Sequence, residues 1–187
     1  DLSPVRIASA RAGNVIGGGD WAQNRIIPDC IKAWSVGELV ELRNPHATRP
    51  WQHVLEPLSG YLCLAIALTQ HPRLHGEAFN FGPQAQQNHS VLELVQEMAL
   101  HWPQVRWHSE STKTSGPYES GLLKLNCDKA LHELRWHALM DFQETVKMTA
   151  EWYRVFYEKH SPIGEITKAQ ILTYTSLAQQ RGLQWAQ

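Results

Sequence analysis

Arg49 is the residue whose type and setting point most directly to chemistry. The segment that carries it, RNPHATRPWQHVLEP at residues 43–57, joins a short apolar stretch to a long apolar one. Pro45 and Pro50 stiffen the backbone on either side of the turn. A guanidinium group presents a planar fork of donors that suits phosphate oxygens. The segment therefore has the character of an anion site, although residue types alone favour a plainer alternative, a surface arginine packed on Trp51.

Two other segments have residue types that suit an anion. Asn14 follows an apolar strand and precedes the glycines at 17–19. Glycine lets a backbone approach a ligand closely, and open α/β sheets bind ligands beyond the carboxyl ends of their strands. Arg25 opens a helical pattern, and helix N-termini attract anions. In both places an ordinary turn with a solvated side chain fits the residue types too.

Hydrophobic periodicity predicts the elements that must position these residues. The stretch at 5–10 has the pattern of a buried strand, and the helix at 56–69 is apolar on more than one face, so we expect it to be deeply buried. Ser90 and Glu93 form a capping box, and residues 109–121 are a long polar loop. The other predicted strands are 39–42, 78–81, 105–108 and 124–126, and the other helices are 24–36, 91–101, 128–134, 142–160 and 166–180.

Three segments together resemble a known family. SARAGNVIGGGDW at 9–21, NRIIPD at 24–29 and the segment at 43–57 are similar to the nucleotide-sugar branch of the extended short-chain dehydrogenase/reductase family. The resemblance runs from about residue 5 to residue 136. The narrower wording ATRPWQHVLEP points to members that act on CDP-glucose.

The resemblance implies an α/β fold: the C-terminal part of an extended Rossmann-type fold plus a small mixed α/β substrate-binding domain. It implies three regions of the chain. Residues 1–37 are the end of the Rossmann-type core, 38–160 are a substrate-binding region with some returning core elements, and 161–187 are a C-terminal helix or tail.

The resemblance also implies roles for particular residues. Arg49 grips the diphosphate of the sugar nucleotide, and Asn14 hydrogen-bonds it. Residues 40–44 lie against the nucleobase, with Arg43 or Asn44 reading its edge. The remaining implied contacts are Arg25 and Ile26 with the phosphates, Tyr118 and Glu119 near the ligand, and Arg11, Ala12 and Gly13 near the nicotinamide of NAD.

The chemistry implied by the resemblance is an NAD-dependent 4,6-dehydration that feeds deoxysugar synthesis for cell-surface polysaccharide. It needs a glycine-rich dinucleotide loop and a Tyr-x-x-x-Lys pair, in which the tyrosine acts as base. None of the five tyrosines has a lysine four residues later, and the twelve glycines include no GxGxxG or GxxGxxG spacing. We therefore expect a chain that holds most of the sugar-nucleotide site and is inactive alone.

Composition narrows the function classes. The chain has 187 residues, 43% of them hydrophobic, and its 17 Lys and Arg nearly balance its 18 Asp and Glu, which disfavours a non-specific nucleic-acid binder. The three cysteines form no CxxC pair, and the ten histidines show no zinc-type spacing, so we expect no metal. No apolar run is long enough to span a membrane, which favours a cytoplasmic protein without membrane contact.

Asp1 is not an initiator methionine, and the chain runs at once into a predicted core strand, so we expect it to be a piece of something longer. Two alternatives to the leading interpretation stay open. One is another nucleotide-sugar enzyme of the same family, such as an epimerase. The other is a non-catalytic binding or assembly module that uses the helices at 142–180. Family members usually dimerise, so a homo-oligomer is a candidate assembly.

Overall fold

A computed structural model describes residues 5–103, 105–109, 121, 123–159 and 162–187 of the chain. Helices and strands alternate over most of this length. In chain order the elements are β1 (Ser9–Ala12), β2 (Asn14–Ile16), α1 (Ile26–Ser35), β3 (Val40–Leu42), β4 (Thr48–Arg49), β5 (Trp51–His53), α2 (Leu55–Gln70), β6 (Ala78–Phe81), β7 (His89–Ser90), α3 (Val91–Ala99), β8 (Trp107–Ser109), α4 (Asp128–Leu134), α5 (Phe142–Glu158) and α6 (Ile163–Gln180), with short 3-10 turns at Pro72–Leu74 and Gln184–Ala186.

The first strand is interrupted at Gly13, so its two halves have different partners. β1 pairs in parallel with β6, and β2 pairs in parallel with β5. A Cβ atom on Gly13 would lie 3.0 Å from Cγ of Pro50 and 3.1 Å from its carbonyl oxygen. Because glycine has no side chain, the backbone at the break lies directly against the segment that carries Arg49.

Two further strand pairs complete the described sheet structure. β3 pairs in parallel with β8, and β4 pairs antiparallel with β7. Three of these four pairings are parallel, as in α/β folds, where helices connect parallel strands. The main core lies among β3, α1, α3 and α5, and its fully buried members include Cys30, Ile31, Leu94, Val95, Met98, Val146, Ala150 and Tyr153.

Most of the predicted elements are confirmed with small shifts at their ends. α3 begins at the predicted capping box, in which the Ser90 side chain accepts from the backbone N–H of Glu93 and the Glu93 side chain accepts from that of Ser90. The strand predicted at 124–126 is wrong, because these residues are irregular. The strand predicted at 5–10 begins only at Ser9, and the strands β2, β4, β5 and β7 are not predicted, since none of these four is long enough to show periodicity.

Two predictions of deep burial are also wrong for the described chain. On α2, Leu58, Leu62 and Ile66 are 46%, 67% and 58% exposed. In the stretch that leads into β1, where a buried strand is predicted, Val5 and Ile7 are 61% and 64% exposed. The residue type shows that a side chain favours apolar surroundings. It does not show whether another described segment packs against that side chain. These surfaces are apolar and uncovered within the part of the chain that the structure describes.

Candidate functional site

A cavity of about 710 Å³ opens beside β2, the N-terminus of α1, β3 and the turn that carries Arg49. This volume is within the range of small-molecule sites, roughly 300–1,000 Å³. The cavity brings together eight of the residues singled out from sequence: Ala12, Gly13, Asn14, Arg25, Ile26, Arg43, Asn44 and Arg49.

Three of the residues singled out from sequence are not placed in the cavity. Arg11 is an exposed residue of β1 and is not among those that line it. Tyr118 and Glu119 lie outside the described residues. The cavity is therefore assembled from the first strand and from segments between residues 24 and 49, with Trp51, Val91, Leu123 and Leu125 completing the described wall.

Arg49 is a buried residue of the cavity wall, with 8% of its surface exposed. The plainer alternative, a surface arginine packed on Trp51, is therefore wrong in placing Arg49 at the surface. Its Nη1 donates to the carbonyl oxygen of Thr48 at 2.9 Å. Its backbone is held in the antiparallel pair with His89, and the indole Nε1 of Trp51 donates to the carbonyl oxygen of His89 at 3.0 Å. The backbone that carries this long cationic side chain is thus fixed by two strand pairings, β4 with β7 and β5 with β2.

The N-terminus of α3 also holds the turn that carries Arg49. The backbone N–H of Val91 donates to the carbonyl oxygen of Ala47 at 3.0 Å, and that of Leu92 donates to the carbonyl oxygen of Pro45 at 2.9 Å. These are N–H groups of a first helical turn, which have no partner inside their own helix. The prolines stiffen the turn, but the helix N-terminus determines where it sits.

Arg25 stands at the N-cap of α1 and is linked to Asp20, which also lines the cavity. Its Nη1 lies 3.1 Å from Oδ2 of Asp20, and the backbone N–H of Ala22 donates to Oδ1 at 2.9 Å. Tyr153 of α5 holds Asp20 by its backbone, accepting from the N–H at 3.1 Å and donating to the carbonyl oxygen at 2.7 Å. Burial raises the pKa of Tyr153, so its phenol stays protonated and keeps this donor.

The glycine-rich loop owes part of its composition to packing. Gly17 lines the cavity, as a loop close to a ligand would. Gly18 lies against the indole ring of Trp152, and a Cβ atom there would fall 2.0 Å from two of its ring atoms. Gly19 has a φ of +80°, which favours glycine. The run therefore serves the contact with α5 as well as the cavity.

Replacing Gly18 by alanine is expected to destabilise the protein by about 1–3 kcal/mol, because the added methyl group overlaps a large ring held in a helix. Urea unfolding followed by circular dichroism measures this. Gly164→Ala is the matched control, since a Cβ atom at Gly164 meets nothing within 4 Å. Equal stability of the Gly18→Ala variant and the wild type would show that the loop moves freely away from Trp152.

Carboxylates in the cavity were not singled out from sequence. Asp20, Asp29 and Glu41 line it together with the guanidinium groups of Arg25, Arg43 and Arg49. Glu41 lies at the exposed position between two buried residues of β3, a pattern that in a sequence indicates only a solvated strand face. Only the fold shows that this face borders a cavity.

The cavity has the chemistry of a binding site. The described residues that line it include no Tyr, Lys, His or Cys, and its titratable groups other than arginine are the carboxyl groups of Asp20, Asp29 and Glu41. It offers guanidinium groups and a helix N-terminus, which bind anions, and buried apolar side chains such as Ile27 and Val40, which suit a flat ring.

His53, which lies buried on β5, has a structural role at the start of α2. His53 is 2% exposed, and burial lowers its pKa to about 4, so it is neutral at pH 7. Its Nδ1 accepts from the backbone N–H of Leu55 at 3.3 Å, at the start of α2.

Across the described ranges no three His, Cys, Asp or Glu side chains converge as metal ligands. No helix in these ranges is long and apolar enough to cross a membrane.

Solved structures with the same fold define the class. The chain has the extended short-chain dehydrogenase/reductase fold of nucleotide-sugar epimerases and dehydratases, as the sequence resemblance predicts. A UDP-glucose 4-epimerase from Stenotrophomonas maltophila, solved with NAD and formylated UDP-arabinopyranose, aligns with a TM-score of 0.68 at 20% identity, over 84% of this chain and 50% of that one. A dTDP-glucose 4,6-dehydratase from Bacillus anthracis, solved with NAD, aligns with a TM-score of 0.59 at 17% identity, over 83% and 47%.

A particular relative is more similar in sequence. CDP-glucose 4,6-dehydratase of Salmonella typhimurium (strain LT2) is 40% identical over 153 residues, which are 81% of this chain and 42% of the relative. No protein-family model matches the chain. The chain thus spans less than half the length of this relative and about half that of the solved structures.

Proposed function

We propose that this chain is the sugar-nucleotide-binding C-terminal portion of an NAD-dependent CDP-glucose 4,6-dehydratase. The complete enzyme converts CDP-glucose to CDP-4-dehydro-6-deoxyglucose and water, a step toward deoxysugars for surface polysaccharide. The observation that carries the proposal is the convergence of Arg49, Arg25 and Asn14 on one cavity. The 40% identity to a CDP-glucose enzyme supports the choice of nucleotide.

In this proposal the anion groups of the cavity hold the diphosphate. Arg49 supplies a fixed bidentate donor, while Asn14 supplies an amide. Arg25 and the backbone at Ile26 add charge and N–H groups where α1 begins. Residues 40–44 lie along the nucleobase, with Arg43 or Asn44 at its edge. The chain thus binds and orients the sugar nucleotide.

When bound in the complete enzyme, NAD would supply a hydride carrier for the oxidation at sugar C4 and the later reduction at C6. This chain fits only the nicotinamide end of that cofactor. Ala12 and Gly13 line the cavity, so their backbone is placed to contact the nicotinamide, while the side-chain position of Gly13 is already filled by Pro50 and Leu125. The sequence has no glycine spacing for the cofactor diphosphate. That loop and the Tyr-x-x-x-Lys base belong to the remainder of the proposed enzyme.

The exposed apolar surfaces support the proposal that the complete enzyme has a further, dinucleotide-binding portion. α2 exposes Leu58, Leu62 and Ile66, and the chain leading into β1 exposes Val5 and Ile7. Exposed apolar surface grouped on neighbouring elements usually marks a contact. In the proposed enzyme the dinucleotide-binding portion covers these surfaces.

Calorimetric titration of the chain with CDP-glucose, UDP-glucose and dTDP-glucose tests the proposal. We expect CDP-glucose to bind and no 4-dehydro sugar to form from the chain alone, because the sequence contains neither the Tyr-x-x-x-Lys pair nor a glycine-rich dinucleotide loop. Turnover should require a protein in which a dinucleotide-binding portion with a Tyr-x-x-x-Lys pair precedes this chain. The assay is the absorbance of the 4-dehydro product in alkali.

Other outcomes would point elsewhere. Tighter binding of UDP-glucose, with interconversion of sugar epimers in the complete protein, would make the enzyme an epimerase. Absence of binding to all three sugar nucleotides would contradict the proposal. A defined complex of such a non-binding chain with another protein through α5 and α6 would favour the assembly module.

A further inference from the structure

Glu41 presents an unpaired carboxylate to the same cavity. It lies on β3 between buried Val40 and buried Leu42, so its side chain projects away from the core, and it lines the cavity. Its carboxylate makes no hydrogen bond and no ion pair within the part of the chain that the structure describes. By contrast, Asp20 is occupied by Arg25 and by the N–H of Ala22.

We infer that Glu41 selects a pyrimidine that carries an exocyclic amine, cytosine, over uracil and thymine. This inference rests on the proposed function, since it concerns the nucleobase of the sugar nucleotide held in that cavity. In this inference the carboxylate of Glu41 distinguishes cytosine from uracil and thymine, in addition to the donors of Arg43 and Asn44.

The reason lies in the pattern of donors and acceptors. An ionised carboxylate only accepts hydrogen bonds. Cytosine presents an amino group at C4, whereas uracil and thymine present a carbonyl oxygen at the same place. An amine there donates to Glu41, but a carbonyl oxygen faces a second acceptor and leaves both groups unpaired. A site that must hydrogen-bond an N–H rejects the analogue that lacks it far better than a site that distinguishes shape alone.

The neighbouring surface suits a base at this place. Ile27, Pro28 and Val40 are buried residues that line the cavity and offer apolar contacts to the faces of a ring. Arg43 follows β3 and is an exposed lining residue whose fork of donors matches the acceptors O2 and N3 of cytosine. Together with the Glu41 acceptor, these donors match the whole pairing edge of cytosine and mismatch that of uracil.

The experiment compares the affinities of wild type and Glu41→Gln for CDP-glucose, UDP-glucose and dTDP-glucose by titration calorimetry. We expect the wild type to prefer CDP-glucose by roughly tenfold or more, the scale of a good base contact. Glu41→Gln should lose most of this preference, because an amide can also turn a donor toward a carbonyl oxygen. Affinity for UDP-glucose should rise while that for CDP-glucose falls.

Two matched variants complete the design. Glu38→Gln removes an exposed carboxylate that is not among the lining residues, and it should leave the preference unchanged. Asp29→Asn removes a second lining carboxylate, on α1, while Asp20 stays engaged by Arg25 and Ala22. If Asp29→Asn erases the preference, or if Glu41→Gln keeps it, the inference is wrong while the proposed function stands. Equal wild-type affinity for all three ligands also overturns the inference alone, whereas absence of all binding overturns the proposed function with it.

Discussion

Replacing Arg49 by alanine is expected to weaken CDP-glucose binding by roughly ten- to a hundredfold, which corresponds to about 1.5–3 kcal/mol for a charge-assisted contact in a sheltered site. The side chain is buried in the cavity wall, and its position is held by the pairing of β4 with β7. Asn14 and Arg25 remain in the cavity of that variant, so binding should be weakened and not abolished. Titration calorimetry at low salt measures the loss.

Arg49→Lys separates charge from shape. Lysine keeps the positive charge but lacks the planar fork, so we expect its affinity to fall between those of wild type and Arg49→Ala. Arg73→Ala is the control for loss of a positive charge, since Arg73 is exposed, pairs with Glu133 and is not among the described lining residues. Wild-type affinity in a folded Arg49→Ala variant would refute the role assigned to Arg49.

Replacing Glu56 by leucine is expected to lower the free energy of unfolding by about 3 kcal/mol or more. Glu56 is 1% exposed, and its Oε1 accepts from the backbone N–H groups of Leu139 and Met140 at 2.9 and 2.6 Å. Its Oε2 accepts from the hydroxyl of Tyr174 at 2.9 Å. Leucine fills the space but leaves the two buried backbone N–H groups without an acceptor, and the hydroxyl of Tyr174 keeps only Oγ of Ser59 as a partner. Urea unfolding at equilibrium measures the loss.

Glu56→Gln is the matched control for this substitution. Its amide oxygen can accept from both backbone N–H groups, while its amide nitrogen donates to Tyr174, whose hydrogen can turn to Oγ of Ser59 at 3.0 Å. We therefore expect the glutamine variant to stay within about 1 kcal/mol of the wild type. If leucine is tolerated as well as glutamine, the three hydrogen bonds are not what joins α2 to α6 and to the segment before α5.

The stability of the wild type should also depend on pH through Glu56. Burial, the largest cause, raises the pKa of this carboxyl despite the three hydrogen bonds that favour its charged form. The folded state therefore holds the proton more tightly than the unfolded state does. This contribution to stability is full below the unfolded-state pKa, about 4.3, and is lost as the pH rises through the folded-state pKa. Relative to Glu56→Gln, the wild type should lose stability as the pH rises through that range; a gain would contradict the assignment.

Much of the fold follows from short-range patterns in the sequence. The capping box at Ser90 and the periodicity of α5 are properties of a few successive residues, because a helix bonds only within itself and its caps. The missing Tyr-x-x-x-Lys pair is likewise a matter of spacing. The resemblance to the nucleotide-sugar branch came from whole segments, and the similarity to known proteins confirms it.

Long-range contacts were less accessible to sequence reasoning. Leu62 has the same residue type as a core leucine, yet it is 67% exposed, because burial depends on what packs against α2 from elsewhere. The sequence places Gly18 in a glycine-rich loop typical of ligand sites. In the structure the position of a Gly18 side chain is occupied by Trp152, which is far along the chain. The sequence gives no sign of the role of Glu56, since its partners at 139, 140 and 174 lie on distant segments.

The groups available for binding can be identified from the order of residues: a guanidinium on a proline-stiffened turn, an amide after a strand, and an arginine at a helix start. That Arg49, Asn14 and Arg25 share one cavity, and that Glu41 joins them, follows from the folded arrangement alone. The cause is the parallel pairing of β2 with β5, together with the hydrogen bonds from the start of α3 to the turn. These contacts join residues remote in the chain, and their free energy depends on packing that no local pattern of residue types contains.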